Sequence, residues 1–146
     1  MFIKQVSVFV ENETGKLAEI TRVLADANID LKASCIAESV DFGILRCIVE
    51  DPEATVALLK GKGYAANVTD VVAVELEDRP GGFADVMEVL AKEGIGVGYV
   101  YSTIHSKKGS AMIVLKVADP EKLSGPNSYG GAICAFNLEL LNCNFS

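Results

Sequence analysis

The chain has 146 residues, 50% of them hydrophobic and 23% charged, which is the composition of a folded globular protein and excludes disordered and fibrous classes. A formal net charge of −7, with no cluster of Lys or Arg, argues against binding to nucleic acid or to anionic membrane surfaces. The apolar runs are too short for a membrane span or a signal peptide, so we expect a cytoplasmic protein.

The cysteines and the single histidine predict neither a metal site nor catalysis. Cys35, Cys47, Cys134 and Cys143 stand at no metal-ligand or redox spacing, so we expect reduced thiols. His105 lies near a strand end, and no motif ties an acid or a nucleophile to it. We therefore expect no enzyme activity, no metal and no cofactor.

An internal repeat organises the chain. A shift of 66 residues superposes one segment on another, and near the end of each segment Asp51-Pro52-Glu53 matches Asp119-Pro120-Glu121 at a shift of 68. The matching positions in the first segment are Val6, Val8, Glu11, Gly15, Ala18, Val23, Leu24, Ala25 and Ile29. The repeat predicts two domains, residues 1–70 and 71–122, which we call the first and second copy.

Each copy begins with a predicted strand and helix. Apolar residues alternate at Val6, Val8 and Val10, as in a half-buried strand, and an amphipathic stripe follows. Thr14 is predicted to be the N-cap of this helix, and Asn28 to end it in left-handed backbone. The stripe consists of Leu17, Ile20, Leu24 and Ala27.

The second copy repeats the pattern with different helix signals. Pro80 is predicted to lie in the first turn of its helix, and Gly94 to end it. Its strand positions are Val72, Val74 and Leu76, and its stripe is Phe83, Val86, Met87 and Leu90.

A predicted hairpin follows each helix, at residues 31–40 and 43–49 and again at 97–105 and 111–117. In the first copy Pro52 then starts a short helix with Ala54, Ala57 and Leu58 on one face, and residues 64–68 form a last strand. The order βαββαβ predicts an α+β fold of two tandem ferredoxin-like domains.

The tail, residues 123–146, breaks this pattern and gives the second domain an atypical C-terminal end. It opens with loop-forming residues, and its only charged residue is Glu139. Two alternatives are open: Ala132–Leu141 replaces the missing helix or strand, or the tail is foreign to the fold and packs poorly.

The strand-to-helix loops, Glu11–Gly15 and Glu77–Gly81, are the candidate binding elements. A glycine at a helix N-terminus lets a small anion approach unpaired backbone N–H groups, which suits the carboxylate of a free amino acid. Asn12 or Asp78 would accept from the ligand ammonium, and Leu17 or Phe83 would shape a pocket for its side chain. The alternative is that Asn12 and Asp78 only cap the loops and the glycines only turn the chain.

Both copies resemble the ACT domain, a small regulatory module that binds amino acids. The resemblance is carried by residues 72–95, by Glu11–Gly15 with Ala27–Asp30, and by residues 98–103. In that family, ligands bind where two sheets pair, between the loop before the first helix and the second strand of the partner domain. This implies one site around Asn12, Thr14, Gly15, Leu17, Asn28 and Ile29, and another around Asp78, Pro80, Gly81, Phe83 and Ile95. Cys35, Ile36, Tyr99 and Tyr101 are the candidates from the facing strands.

The resemblance implies a non-enzymatic amino-acid sensor that acts through a homo-oligomer or a separately encoded metabolic enzyme. With 146 residues and two repeats, we expect no room for a catalytic domain. The alternative is an oligomerising interaction module without a ligand, which assembles through exposed strands.

Overall fold

The computed structural model describes residues 2–103 and 109–123 of the chain. The chain divides into two compact units. One unit is Lys4–Asp70, and the other joins the N-terminal residues up to Ile3 with the residues from Val71 onward. The predicted tail beyond Leu123 lies outside the described residues, as do His105, Cys134 and Cys143.

The first copy contains four strands and two helices. In chain order its elements are β1 (Phe2–Glu11), α1 (Lys16–Asp26), β2 (Ala33–Glu38), β3 (Phe42–Ile48), α2 (Pro52–Gly61) and the first part of β4 (Ala66–Glu77). The strand order is β2-β3-β1-β4, and β3 pairs antiparallel with both β1 and β2. The βαββαβ order predicted for this copy is therefore confirmed.

The second copy contains the rest of β4, α3 (Gly82–Lys92), β5 (Val97–Ser102), β6 (Ser110–Val117) and a short 3-10 helix, Pro120–Leu123. Its strand order is β4-β6-β5, with antiparallel pairing throughout. The predicted hairpin is confirmed, and the β-α-β-β part of the copy matches the first.

Each copy has its own hydrophobic core on the helix side of its strands. In the first copy the alternating residues Val6, Val8 and Val10 are 0, 0 and 5% exposed and pack against α1 and α2. In the second copy Val72, Val74 and Leu76 of β4 pack against α3. Burying one such aliphatic side chain stabilises the fold by about 1.5–3 kcal/mol, so the strand pattern positions the helices.

Left-handed residues end α1 and α3, as predicted. Asn28 has a φ of 56° and Gly94 a φ of 63°. The N–H of Asn28 donates to the Ala25 carbonyl at 2.9 Å, and the N–H of Ile29 reaches the Leu24 carbonyl at 3.0 Å. This pair of bonds is the Schellman arrangement, which satisfies carbonyls that the helix leaves free.

The predicted helix starts are wrong. The N-caps of α1 and α3 are Gly15 and Gly81, with φ of 95° and 90°, and neither helix has a side-chain cap. Thr14 and Pro80 each lie one residue before the cap because the loop first closes a tight turn. In the first copy that turn is the bond from the Lys16 N–H to the Glu13 carbonyl, at 3.2 Å.

The apolar face predicted for α2, which consists of Ala54, Ala57 and Leu58, is not its buried face. Ala54 and Ala57 are exposed and Leu58 is half-buried, whereas Thr55, Val56 and Leu59 are buried. The helix begins at a cap in which Asp51 Oδ1 accepts from the Ala54 N–H at 2.9 Å. Leu59 is 0% exposed and belongs to the first-copy core.

Candidate functional site

A cleft of about 400 Å³ opens in the first copy beside the start of α1. Ligand pockets commonly enclose about 300–1,000 Å³, so the cleft has the size for a small metabolite. It brings together three of the predicted residues, Asn12, Leu17 and Ile36. We call it the first-copy cleft; its lining residues are Val10, Glu11, Asn12, Glu13, Leu17, Ile36, Glu38 and Gly43.

The strand register forms the floor of the first-copy cleft. Gly43 of β3 is opposite Val10 on β1 and opposite Glu38 on β2. A Cβ atom at Gly43 would lie 3.3 Å from the Ile36 Cδ1 atom. The missing side chain therefore leaves space for Ile36, which is 49% exposed and gives the floor an apolar surface.

Asn12 fastens the loop before α1 to the β2–β3 turn. Its Nδ2 donates to the carbonyls of Ser39 and Val40 at 3.3 and 3.4 Å, and its backbone N–H donates to the Asp41 carbonyl at 3.1 Å. Because the amide nitrogen is engaged, the amide oxygen is the group that Asn12 has left to accept a hydrogen bond. The interpretation of Asn12 as a loop cap is thus compatible with its interpretation as an acceptor for a ligand.

The start of α1 offers backbone N–H groups to an anion. Gly15 is the N-cap and no side chain accepts from the first turn. By contrast, α2 has its N-terminus capped by Asp51. The first N–H groups of a helix have no partner within the helix and carry a partial positive charge. A carboxylate placed here would accept hydrogen bonds from the first-turn N–H groups, as the Asp51 side chain does in α2.

Carboxylates also line the first-copy cleft and supply hydrogen-bond acceptors. Glu11, Glu13 and Glu38 line it, and the Lys16 ammonium lies 3.1 Å from Glu11 Oε2. The hydrogen bond to Glu11 is the main cause that raises the pKa of the Lys16 ammonium. The cleft therefore combines donors for an anion, acceptors for an ammonium group and an apolar surface from Leu17 and Ile36.

Sequence reasoning missed five lining residues, namely Val10, Glu11, Glu13, Glu38 and Gly43. Glu11 was visible as a repeated position, because it matches Glu77 in the second copy. Glu38 and Gly43 come together only through the hairpin register, which a single sequence does not specify.

The remaining first-copy candidates lie elsewhere. Asn28 and Ile29 follow the far end of α1, about 16 Å along its axis from Gly15 at 1.5 Å per residue. They line a second cleft of about 770 Å³ with residues from the start of α2. Cys35 is half-buried on the opposite face of β2 from Ile36, because successive strand residues alternate. Thr14 is exposed in the loop.

Four of the second-copy candidates lie around the start of α3. Asp78 and Pro80 are exposed, Gly81 is the N-cap, and Phe83 is 44% exposed in the first turn. The backbone N–H of Asp78 donates to the Gly109 carbonyl at 3.2 Å, as that of Asn12 donates to Asp41.

Three second-copy candidates are placed away from this loop. Ile95 is 4% exposed and belongs to the hydrophobic core, where its N–H donates to the Leu90 carbonyl at 2.9 Å. Tyr99 and Tyr101 share one face of β5, with ring centroids 6.5 Å apart.

Residues 2–103 and 109–123 contain no group of three or more His, Cys, Asp or Glu side chains arranged to hold a metal ion. Within the same residues, the helices are too short or too polar to span a membrane.

Comparisons with known proteins place this geometry in a family. A model of the ACT domain pair matches residues 1–125. The crystal structure of protein BT0572 from Bacteroides thetaiotaomicron is 43% identical, with a TM-score of 0.77, and the match covers 84% of this chain and 83% of that one. No curated protein matches the chain.

More distant structures share the fold. The ligand-free regulatory subunit of aspartate kinase from Thermus thermophilus has a TM-score of 0.59 at 14% identity, covering 77% of this chain and 81% of that one. The regulatory subunit from Thermus flavus has a TM-score of 0.58 at 12% identity, covering 79% and 85%.

Proposed function

The chain belongs to the ACT domain pair family, and from this premise we propose that it is a non-enzymatic regulatory protein that binds a free amino acid in the first-copy cleft. The observation that carries the proposal is the composition of that cleft. Three carboxylates and two exposed apolar side chains line a cleft of about 400 Å³ that lies beside the uncapped start of α1. A free amino acid carries the three complementary groups.

The ligand carboxylate is proposed to accept from the first-turn N–H groups of α1 beside Gly15. Gly15 has no heavy atom within 4 Å of its missing Cβ position, so an anion can approach the backbone there. The ligand ammonium would donate to the Asn12 amide oxygen and to Glu13. Its side chain would contact Leu17 and Ile36, which favours a small or apolar amino acid.

The proposed partner of this sensor is a second copy of the chain or a separately encoded metabolic enzyme. The two Thermus structures are regulatory subunits of aspartate kinase, but at 14 and 12% identity they support the fold only. The partner is therefore proposed from the family's role as a regulatory module, and a cytoplasmic location stays a prediction from composition.

A specific observation favours the second candidate function, an oligomerising module without a ligand. Phe9 and Phe42 are 46 and 44% exposed on neighbouring strands, with ring centroids 5.7 Å apart. Exposed aromatic pairs of this kind are found in protein interfaces. Under this alternative the chain self-associates at every amino-acid concentration, whereas a sensor responds to one amino acid.

The test is titration calorimetry of the intact chain with each of the twenty amino acids, followed by a matched pair of glycine variants. Gly15 and Gly63 have φ of +95° and +92°, and neither has a heavy atom within 4 Å of a built Cβ. Gly15→Ala and Gly63→Ala therefore carry similar backbone strain, but only the first adds a methyl group at the proposed carboxylate site. We expect Gly15→Ala to weaken binding at least tenfold and Gly63→Ala to leave it unchanged.

Two results would count against the proposal. Equal affinity in both glycine variants would place the binding site away from the start of α1. Absence of heat with all twenty amino acids, together with constant self-association, would favour the oligomerising module.

A further inference from the structure

The loops before α1 and α3 have the same backbone but different side chains. In both, the third residue donates its N–H to the carbonyl of the first, at 2.8 Å in Glu11–Gly15 and 2.9 Å in Glu77–Gly81. The closing glycines have nearly equal φ angles, 95° and 90°. Any difference in binding between the copies must therefore come from the side chains.

The third loop residue reverses its charge between the copies, since Glu13 corresponds to Arg79. The Arg79 Nε donates to Glu77 Oε2 at 2.5 Å, and its Nη2 donates to Asp85 Oδ2 at 2.6 Å. Its Nη1 lies 3.4 Å from the position of a built Cβ at Gly81. One guanidinium thus crosses from the end of β4 to the first turn of α3, directly beside the glycine.

In the first copy, the residues that correspond to Glu77 and Asp85 pair with other side chains. Glu11 pairs with Lys16, at 3.1 Å, on the helix itself. Glu19, which corresponds to Asp85, accepts a hydrogen bond from the Tyr64 hydroxyl at 2.6 Å. Glu13 is exposed and lines the first-copy cleft.

Position 82 at the start of α3 has no room for a side chain. A built Cβ at Gly82 would lie 2.3 Å from the Glu77 carbonyl oxygen, a distance that no real side chain tolerates. The corresponding residue in α1 is Lys16, which carries a Cβ. The two helix starts therefore differ in the residue that this position accepts.

We propose that the chain binds one amino acid, in the first copy, because Arg79 places a cation in the second copy where Glu13 of the first copy offers a carboxylate to the ligand ammonium. This inference rests on the proposed function. Arg79 joins Glu77 and Asp85, whose counterparts in the first copy are turned to Lys16 and Tyr64. Arg79 is thus a specificity-determining residue that makes two homologous loops unequal.

Stoichiometry and a matched pair of variants test the proposal. Calorimetry is carried out with each of the twenty amino acids in turn. The amino acid that binds should do so with a stoichiometry of one ligand per chain. Leu17 and Phe83 hold corresponding positions and are 40 and 44% exposed, so each tolerates a polar substitution equally. We expect Leu17→Glu to abolish binding and Phe83→Glu to leave affinity and stoichiometry unchanged.

Removing the guanidinium tests the role of Arg79 itself. We expect Arg79→Ala to raise the stoichiometry from one to two ligands per chain. Arg22→Ala is the control, because Arg22 is an exposed arginine paired with Asp26 on α1. The Arg22→Ala variant should still bind one ligand per chain.

The outcomes separate this inference from the proposed function. Two ligands per wild-type chain, loss of binding in Phe83→Glu, or one ligand in Arg79→Ala would overturn the inference while leaving amino-acid binding intact. No heat in the wild type or any variant would overturn the proposed function and the inference with it.

Discussion

Asn28 shows how one residue fixes the exit of the chain from α1. Its φ of 56° lies in the left-handed region, where a side chain branched at Cβ is strained. Asn tolerates this backbone better than most residues, and its repeat counterpart is Gly94. The sequence predicted both positions because Asn and Gly have a conformational preference that is independent of the rest of the fold.

We predict that Asn28→Val lowers the free energy of unfolding by about 1–2 kcal/mol, because the β-branched side chain of valine is strained in left-handed backbone. Asn28→Gly should be neutral or slightly stabilising. Urea denaturation of the two variants measures the difference. Equal stability of the valine and glycine variants would show that the backbone at this position relaxes.

Cys35 and Cys47 are free thiols with different environments. Cys47 is 0% exposed in β3, and burial raises the pKa of its thiol to about 12. Cys35 is half-buried in β2. Because the thiolate is the reactive form, Cys47 is inert near neutral pH.

We predict that iodoacetamide at pH 8 modifies Cys35 in the folded protein well before Cys47, as peptide mass spectrometry would show. Denaturant should equalise the two rates, because the unfolded thiols share an ordinary pKa. Folding stability should fall as the pH rises above 9.0 toward about 12, since only the unfolded state then releases the Cys47 proton. Equal labelling of both cysteines in the folded protein would contradict the burial of Cys47.

At the scale of elements, α2 shows where periodicity fails. Residues 54–59 include Ala54, Val56, Ala57, Leu58 and Leu59, so an apolar stripe can be drawn on more than one face. Packing against the first-copy core selects the face that contains Val56 and Leu59. Strand β4 differs from its prediction in another way. The sequence predicted one strand at 64–68 and another from Val72, but a single strand spans Ala66–Glu77. No Gly or Pro stands between these residues to interrupt it.

Two neighbouring leucines test the orientation of α2. Leu59 is 0% exposed in the first-copy core, so we predict that Leu59→Ala lowers the free energy of unfolding by about 2–5 kcal/mol. Leu58 is half-buried outside that core, and Leu58→Ala should cost about 1 kcal/mol or less. Chemical denaturation measures both. A larger loss of unfolding free energy in Leu58→Ala than in Leu59→Ala would show that the face predicted from the sequence is the buried one.

At the scale of the whole molecule, the repeat predicted the fold because each copy carries the same strand, helix and hairpin signals. The same repeat predicted two equivalent sites, since Asn12 matches Asp78 and Leu17 matches Phe83. The sequence did not predict side-chain geometry. The partners of Arg79, and the presence of Ile36 and Leu17 in one cleft, depend on strand register and rotamers. Residues 124–146 lie outside the described residues, so the two alternatives for the tail stay predictions.

Binding in the first-copy cleft is the central claim, and an NMR titration of the intact ¹⁵N-labelled chain with each of the twenty amino acids tests it most directly. We predict that one amino acid shifts the backbone amide signals of residues 15–18 and slows hydrogen exchange at Leu17 and Ala18, because N–H groups in the first turn of α1 gain an acceptor. The amides of Gly81 and Phe83 should move little. Unchanged signals at residues 15–18 with all twenty amino acids at millimolar concentration would contradict the claim.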